Sequence, residues 1–467
     1  MPQLIDPPSM PDLLARYNRP GPRYTSYPTA VEFHDGVTDA VYREHLSRAN
    51  ARSDEPLSVY MHLPFCEERC AYCGCFVVIT KHRDVADRYL DYLEREIDLL
   101  AAHLPDRRRI SQLHWGGGTP TYYTAAQLTR LFERFTTHFT LAPDAEIGVE
   151  IDPRVTSPEH LSVLRGLGFN RLSMGVQDFA PEVQEAVHRI QSYELTKSLV
   201  DRARELAFRS INVDLIYGLP YQSTRGFART LEQVVTLRPE RVAVYSFAFV
   251  PWMKAHMKHL PEESLPDANL KIELLGLTQD AFSGAGYRQI GMDHFALPED
   301  ELARALDART LHRNFMGYTV QAAGDMVAVG VSAIGDVQGA FAQNTKKLNE
   351  YYTAIDAGRF PIERGYVLDE DDRLRRYVIT QLMCNGHLDL AEVERRFGIS
   401  FGEYFSSELA ELTGPASPAA DGLVQVDGRA IDVTPLGRMF VRNVCMPFDR
   451  YLRARTSGPK PVFSRTV

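Results

Sequence analysis

The chain has 467 residues, 44% apolar and 24% charged, a balance typical of a folded protein of two or three domains. Its formal net charge of −9 argues against a general polyanion binder, so no nucleic-acid partner is expected. No apolar run is long enough for a membrane span, and MPQLIDPPSMPDLLARY lacks the apolar core and cleavage site of a secretory signal, so a cytoplasmic protein is expected.

Residues 1–40 are rich in proline, tyrosine and arginine. In RPGPRYTSYPTA, Pro20, Pro22 and Pro28 forbid a continuous helix. An extended arm is predicted, and Tyr24 and Tyr27 give it more apolar area than a solvated linker needs. A domain over 41–365 follows, with a strand-then-helix rhythm. LSVYMHLPF, ISQLHWGGG, AEIGVEIDP, FNRLSMGVQ, INVDLIYGLP and RVAVYSFAFV read as buried parallel strands. VADRYLDYLEREIDLLAAHL and YELTKSLVDRARELAF read as helices between them. The repeat predicts an α/β fold with a parallel sheet and right-handed crossovers. Six units are fewer than the eight of a closed barrel, so an open, partial barrel is expected. VAVGVSAIG is a candidate further strand and keeps an eight-unit barrel as the alternative.

Residues 366–467 change character. DEDDRLRRYVITQLMCNGHLDLAEVERRFG is helical, and GLVQVDGRAIDVTPLGRMFVRNVC reads as a short β-ribbon followed by a helix. Together they predict a small, mainly helical C-terminal domain with a winged-helix-like pattern.

CEERCAYCGC places four of the six cysteines, Cys66, Cys70, Cys73 and Cys75, within one short stretch. Disulfides fit poorly in a large chain with its thiols so bunched. Zinc fits poorly too, because structural zinc sites pair two knuckles from separate stretches. An iron–sulfur cluster suits the spacing: Cys66, Cys70 and Cys73 allow one loop to wrap three corners of a cubane. Cys75 follows Cys73 too closely to reach the fourth corner without distorting the loop, which leaves one iron for a non-protein ligand. Cys384 and Cys445 stand alone in apolar surroundings and read as buried structural thiols. Gly116, Gly117, Gly118, Glu150, Gln177, Asp214 and Ala248 fall at the C-terminal ends of the strand runs, the edge on which barrels carry their sites. The cysteine stretch follows the first strand and opens onto that same edge.

Cys66-x3-Cys70-x2-Cys73 after a first strand, with HWGGGTPT on the second, resembles the radical SAM superfamily. PGPRYTSYPTA, CAYCGC, HWGGGTPT, NRLSMGVQDF, DLIYGLP, GMDHFA and HRNFMGYT together resemble the family of oxygen-independent coproporphyrinogen III oxidases, over nearly the whole chain. The resemblance implies a partial (β/α)6-type radical SAM barrel, a [4Fe–4S] cluster and S-adenosyl-L-methionine bound twice. It implies an oxidoreductase of haem and porphyrin biosynthesis that converts the ring A and B propionates of coproporphyrinogen III to vinyl groups, giving protoporphyrinogen IX. It further implies an electron donor and an electron acceptor, neither of which the sequence names, and a monomer. Radical chemistry suits the task, because the propionate β-carbon carries no acidic hydrogen for a general base to remove.

The resemblance assigns roles residue by residue. Cys66, Cys70 and Cys73 match the cluster ligands, and Cys75 matches a cysteine needed for activity that does not ligate. Tyr60 matches a tyrosine near the first cofactor and, with Cys75, is a candidate catalytic residue; its plain alternative is a core tyrosine. The Tyr72 backbone matches an adenine contact, and Gly117, Gly118 and Thr119 match the glycine strand that binds the methionine end. Glu150 ends a buried strand, where an unpaired carboxylate is costly, and is expected to bind a ribose hydroxyl or the methionine amine. Gln177, Arg189 and Asp214 match contacts of the second cofactor, although Arg189 alone reads as an exposed helix arginine. Ala248 and Ile334 match backbone or packing contacts and alone read as core. Met316 departs from the pattern, standing where some relatives have glutamine, and His312 and Arg313 beside it are candidates for a propionate.

Three rival functions are opposed by the sequence. A haem chaperone of the same family typically lacks the fourth cysteine, the arm and this C-terminal domain, all of which are present. An electron-transfer protein with a fully ligated cluster is opposed by the missing fourth ligand and by the glycine strand. A radical methyltransferase is opposed by the porphyrinogen-specific motifs.

Overall fold

Apolar residues at every second position of six strands set up the architecture. The structure, a computed structural model, describes residues 9–320, 324–455 and 462–466. The first strand is β1 (Leu57–Leu63), followed by the short pair β2 (Phe65–Cys66) and β3 (Val78–Ile79). Then come β4 (Arg109–Gly117), β5 (Thr140–Ile151), β6 (Arg171–Gln177), β7 (Ser210–Tyr217) and β8 (Arg241–Ser246). The sheet order is β1-β4-β5-β6-β7-β8, every neighbouring pair parallel. Parallel neighbours need crossovers, and the helices Arg83–His103, Ala125–Thr136, Pro158–Gly166, Tyr193–Glu205 and Thr224–Leu237 supply them. This is the partial (β/α)6 arrangement expected.

The two faces of these strands differ. Met61, Trp115, Val149, Met174, Val213 and Val244 are buried in one core with Leu93, Ile97, Phe135 and Leu199 of the helices. The intervening His114, Glu150, Ser173, Asp214 and Tyr245 line an interior cavity. Successive side chains point to opposite faces, so runs that looked simply apolar carry a polar inner wall.

Beyond β8 the sheet continues antiparallel through β9 (Arg288–Ile290) and β10 (His294–Ala296), with β10 against β8. A separate hairpin joins β11 (His312–Asn314) and β12 (Gly317–Thr319). On the other side, β13 (Met326–Val329) lies parallel to β1. It is followed by antiparallel β14 (Ile334–Val337), β15 (Ala340–Asn344) and β16 (Ile362–Val367). VAVGVSAIG is therefore most of β13, a turn and the start of β14. The chain doubles back there instead of crossing over through a helix, so the eight-unit alternative falls. The outer strands β9 and β16 are not paired with each other, and the sheet stays open.

The arm departs from the extended segment expected. Met10–Tyr17 is a helix, started by Ser9 and Asp12, each of which accepts from the other's backbone N–H. Extended backbone begins only as the prolines arrive; residues 1–8 lie outside the described residues. The arm's Leu13, Tyr17, Tyr24 and Tyr27 are buried with Leu374, Val378, Phe405 and Phe448 in a second core. Tyr17 Oη donates to Asp421 at 2.6 Å and Tyr24 Oη to Asp449 at 3.0 Å. The arm is thus an integral layer of the C-terminal region. That region has the helices Glu370–Asn385 and Leu390–Phe397, and a small sheet of β17 (His387–Asp389), β18 (Val424–Val426) and β19 (Ala430–Val433) in the order β17-β19-β18. Among the described residues no helix is long and apolar enough to cross a membrane.

Candidate active site

The glycine run allows the ends of β1 and β4 to close together. Gly118 N–H donates to Leu63 O and Thr119 N–H to Phe65 O, both at 2.9 Å. A Cβ on Gly117 would lie 2.3 Å from the His62 ring, and one on Gly118 2.5 Å from the Pro64 backbone. Gly117 also has φ +110°, which a side chain rarely tolerates. The cysteine loop, held between β2 and β3, faces this run across a cavity of about 160 Å³. Cys66, Cys70, Cys73 and Cys75 all line it.

Charged groups surround the thiols. Arg154 Nη2 is 3.5 Å and Arg189 Nη1 3.6 Å from Cys70 Sγ. Both guanidiniums also bind Asp152, at 2.7 and 2.9 Å. Burial pushes the Asp152 carboxyl up, but Arg189 and Arg154 override it and hold the group at about 2. Burial raises the Cys66 thiol to about 12, against a contact with Thr119 Oγ1 at 3.3 Å. The neighbouring Cys75 draws the Cys73 thiol below the usual range, against the effect of burial. His256 Nε2 lies 2.9 Å from Cys73 O, and Lys254 Nζ 3.4 Å from Cys75 O.

Polar groups of the inner wall complete the cavity. Glu150 accepts from Gly117 N–H at 3.0 Å and lies 3.3 Å from His114 Nε2. Its carboxyl is held below the usual range, because His114 and Gly117 outweigh burial. Asp214 accepts from Asn212 Nδ2 at 2.8 Å, yet burial pushes it up to about 6. Gln177 sits at a bulge with φ 70°, a conformation costing a non-glycine residue about 1–2 kcal/mol. The backbone of Gly175 makes room for it: a Cβ there would lie 2.6 Å from Gln177 Nε2 and 3.1 Å from Arg189 Nη2.

The structure brings Tyr72, Gly117, Gly118, Thr119, Glu150, Gln177, Arg189 and Asp214 to this cavity with the four cysteines. Arg189 is buried there, not exposed on a helix, and its Nε has no hydrogen-bond partner among the described residues. Tyr60 stands just behind the cavity, its ring stacked at 6.2 Å on His114 and its Oη 3.0 Å from His62 Nδ1. Ala248 lies in the half-buried loop after β8. Ile334 packs at the start of β14 against the cluster of Phe33 and Phe341. Met316 and Tyr318 line a second cavity beneath the first, which shares Glu150, Ser173 and Asp214 with it. Sequence reasoning missed Asp152, Arg154, Lys254 and His256. The signal for the first two was the strand end EIDPR, where two charges follow Glu150.

The donor set fits a cluster better than an ion. Among the described residues, no group of three or more His, Cys, Asp or Glu side chains is placed to hold a single metal ion. The thiols instead ring a cavity, as a multi-iron cluster requires. Two arginines beside Cys70 and the unpartnered Arg189 Nε suit thiolates and an anionic ligand there.

Comparison with known proteins agrees with this geometry. Residues 60–234 match the radical SAM superfamily and residues 368–440 the HemN C-terminal domain. The oxygen-independent coproporphyrinogen III oxidase of Pseudomonas aeruginosa is 46% identical over 98% of both chains. That of Escherichia coli is 45% identical over 97% of this chain and 98% of its own. The solved structure of coproporphyrinogen III oxidase from Escherichia coli, described as a radical SAM enzyme, superimposes with a TM-score of 0.88 at 44% identity, covering 92% of this chain and 98% of that one. With its cysteine loop, glycine strand and C-terminal region all accounted for at this similarity, the chain belongs to the oxygen-independent coproporphyrinogen III oxidase family of radical SAM enzymes.

Proposed function

We propose that the chain oxidatively decarboxylates the ring A and B propionates of coproporphyrinogen III, giving protoporphyrinogen IX. The observation that carries this reading is the full-length similarity to coproporphyrinogen III oxidases together with a cysteine-ringed cavity at the C-terminal edge of the parallel strands. Each propionate becomes a vinyl group by losing one hydrogen atom, CO2 and one electron, and an acceptor takes the electron. Cys66, Cys70 and Cys73 would hold a [4Fe–4S] cluster, with Cys75 in support beside Cys73 on the same cavity wall. Bound together, cluster and S-adenosylmethionine supply hydrogen-atom abstraction from an unactivated carbon.

The chain's own residues do the remaining work. Arg154 and Arg189 neutralise charge beside Cys70. Gly117, Gly118 and Thr119 are assigned to the methionine end of the cofactor by family likeness; their own N–H groups are given to Glu150, Leu63 O and Phe65 O, which fixes the shape of this strand end. Glu150, kept ionised beside His114, is an acceptor for hydroxyl or ammonium groups. Tyr60 behind Glu150, the Tyr72 backbone, Ala248 and Ile334 are assigned supporting cofactor contacts by family likeness alone. Gln177, Arg189 and Asp214 are assigned to a second cofactor molecule by family likeness; all three line the cysteine cavity, and Asp214 also lines the second cavity below it. The arm packs on the C-terminal region and reaches the end of β8 through Arg23, which donates to Ser246 O at 2.9 Å.

Anaerobic turnover of reconstituted protein with coproporphyrinogen III and S-adenosylmethionine tests the proposal. The expected result is protoporphyrinogen IX with CO2 release and cofactor cleavage in step. Stable haem binding with no CO2 release would overturn it in favour of a chaperone.

A further inference from the structure

Asp152 and Arg154 follow β5 in a turn that fixes where a guanidinium points. Pro153 between them has no N–H to give, and Asp152 Oδ1 accepts from Arg154 N–H at 3.0 Å. Arg154 Nε donates to the same oxygen at 3.1 Å, and Nη2 to Asp152 Oδ2 at 2.7 Å. Val155 N–H and Thr156 Oγ1 both donate to Asp152 O, at 3.1 and 2.7 Å, so the backbone beneath the side chain is held as well. From this clamp Nη2 also reaches Cys70 Sγ at 3.5 Å, and Nη1 reaches His188 O at 3.5 Å.

Two features separate Arg154 from Arg189, the other guanidinium on Cys70. Arg189 spends its fork on Gly175 O and Asp152 and is assigned to a cofactor by family likeness; Arg154 carries no such assignment. Arg154 also lines two cavities, the cysteine cavity and an outer one of about 170 Å³ that includes Cys66, Glu67, Glu68 and Tyr122. On that outer side Glu67 is paired with Arg83, and Glu68 with Lys81 at 3.4 Å. Asp152 is shared by Arg154 and Arg189, so two guanidiniums and one carboxylate stand beside Cys70 Sγ. A thiolate that ligates iron carries part of the charge of its cluster. An N–H aimed at that sulfur, and positive charge beside it, stabilise the state with one more electron and so raise the reduction potential. The Arg154 side chain is only 20% exposed, which limits screening by water.

We propose that Arg154 sets the reduction potential of the cluster: through Cys70 Sγ it raises that potential, so that a weaker electron donor can load the site. The inference rests on the proposed function, since that reading supplies the cluster at Cys66, Cys70 and Cys73. Arg154 acts through a ligand and is a positioning residue for the reaction. Asp152 has the matching task of holding the guanidinium on the sulfur.

The test reads the potential itself. Reconstituted wild type, Arg154→Gln, Arg154→Lys and Arg83→Gln are titrated anaerobically with dithionite, and the reduced cluster is followed by electron paramagnetic resonance. S-Adenosylmethionine is left out, so that its binding cannot move the potential, and iron is counted in each protein. Arg154→Gln is expected to hold about four irons and to lower the reduction equilibrium constant about tenfold, a drop of about 59 mV for one electron. Arg154→Lys keeps the charge and should recover at least half of that drop. Arg83→Gln removes an equal charge whose contacts are Glu67 and Tyr122, and should move the potential less than half as far. Equal drops in Arg154→Gln and Arg83→Gln would overturn the proposal, because general charge would then suffice. A wild-type potential in Arg154→Gln would also overturn it, as would iron loss in that variant, which would make Arg154 a prop for the cysteine loop. Those outcomes count against Arg154 when wild type takes up a cluster; a wild type that takes up none counts against the proposed function itself.

Discussion

The imidazole Nε2 of His256 lies 2.9 Å from the carbonyl oxygen of Cys73. A loop beyond β8 thereby grips the cysteine loop after β2, and Lys254 adds a cation 3.4 Å from Cys75 O. Losing one such hydrogen bond costs about 1 kcal/mol. In His256→Ala, amide exchange over residues 66–76 of the cluster-free protein should run about fivefold faster than in wild type. Lys254→Met removes a positive charge near the cluster, so its reduction potential should fall in a titration followed by electron paramagnetic resonance. Unchanged exchange and unchanged potential would mean that the cysteine loop holds its shape alone.

Cys75 stands beside Cys73 on the cavity wall, whereas Cys70 faces Arg154 and Arg189. Reconstituted Cys75→Ser should retain about four irons and lose turnover, whereas Cys70→Ser should lose iron. Equal iron loss in the two variants would make Cys75 a ligand.

Asp214 gives a cleaner probe of cofactor binding than Arg189. Arg189 is buried in an ion pair with Asp152 at 2.9 Å, so Arg189→Ala perturbs the fold as well as the site. Asp214 faces the cavity and is already pushed up to about 6 by burial. Asp214→Asn should leave the melting temperature of the cluster-free protein unchanged or slightly higher. S-Adenosylmethionine binding by the reconstituted protein should weaken about ten- to a hundredfold. A collapsed melting temperature with unchanged affinity would assign Asp214 to the fold.

Glu96 predicts a pH dependence away from the chemistry. It accepts from Gly330 N–H and Tyr351 Oη at 2.6 Å and from Asn344 at 2.7 Å, yet burial lifts its carboxyl from the ordinary 4.5 to about 7. The folded state then binds the proton more tightly than the unfolded chain. Its contribution is full below the unfolded carboxylate range and is lost as pH rises to about 7. Urea unfolding should show wild type losing about 3 kcal/mol between pH 4.5 and 7.5 that Glu96→Gln does not lose. Parallel profiles would mean that another group compensates.

The legibility of this site follows sequence distance. Cys66, Cys70, Cys73 and Gly116–Gly118 stand out because each group acts within one loop or one strand end, where spacing is the geometry. The six parallel strands were equally plain from their repeat. The polar inner wall was harder, since His114, Glu150 and Asp214 sit among apolar residues whose faces emerge only once the pleat is known. His256 and Cys73 are 183 residues apart, and KAHMKH alone carries no sign of that partnership. The arm's first helix was hidden by the prolines that follow it. Its burial against the C-terminal region depends on Asp421, Arg442 and Asp449, which no local pattern links to Tyr17, Gly21 or Tyr24.

That union of arm and C-terminal region has a consequence for biosynthesis. Gly21 N–H donates to Ser464 O and Thr466 N–H to Arg19 O, and Arg19 and Thr466 are 447 residues apart in the chain. At translation rates of about 5–20 residues per second, Arg19 waits on the order of 20–90 s for its partner to be made. Once Ser246 has been made the strands β1–β8 are complete, while Asp421, Arg442 and Asp449, which hold the arm, are still to come. The cysteine loop and the strands that carry it are therefore made well before the arm is fully anchored, and the order of synthesis itself gives iron delivery a window of tens of seconds.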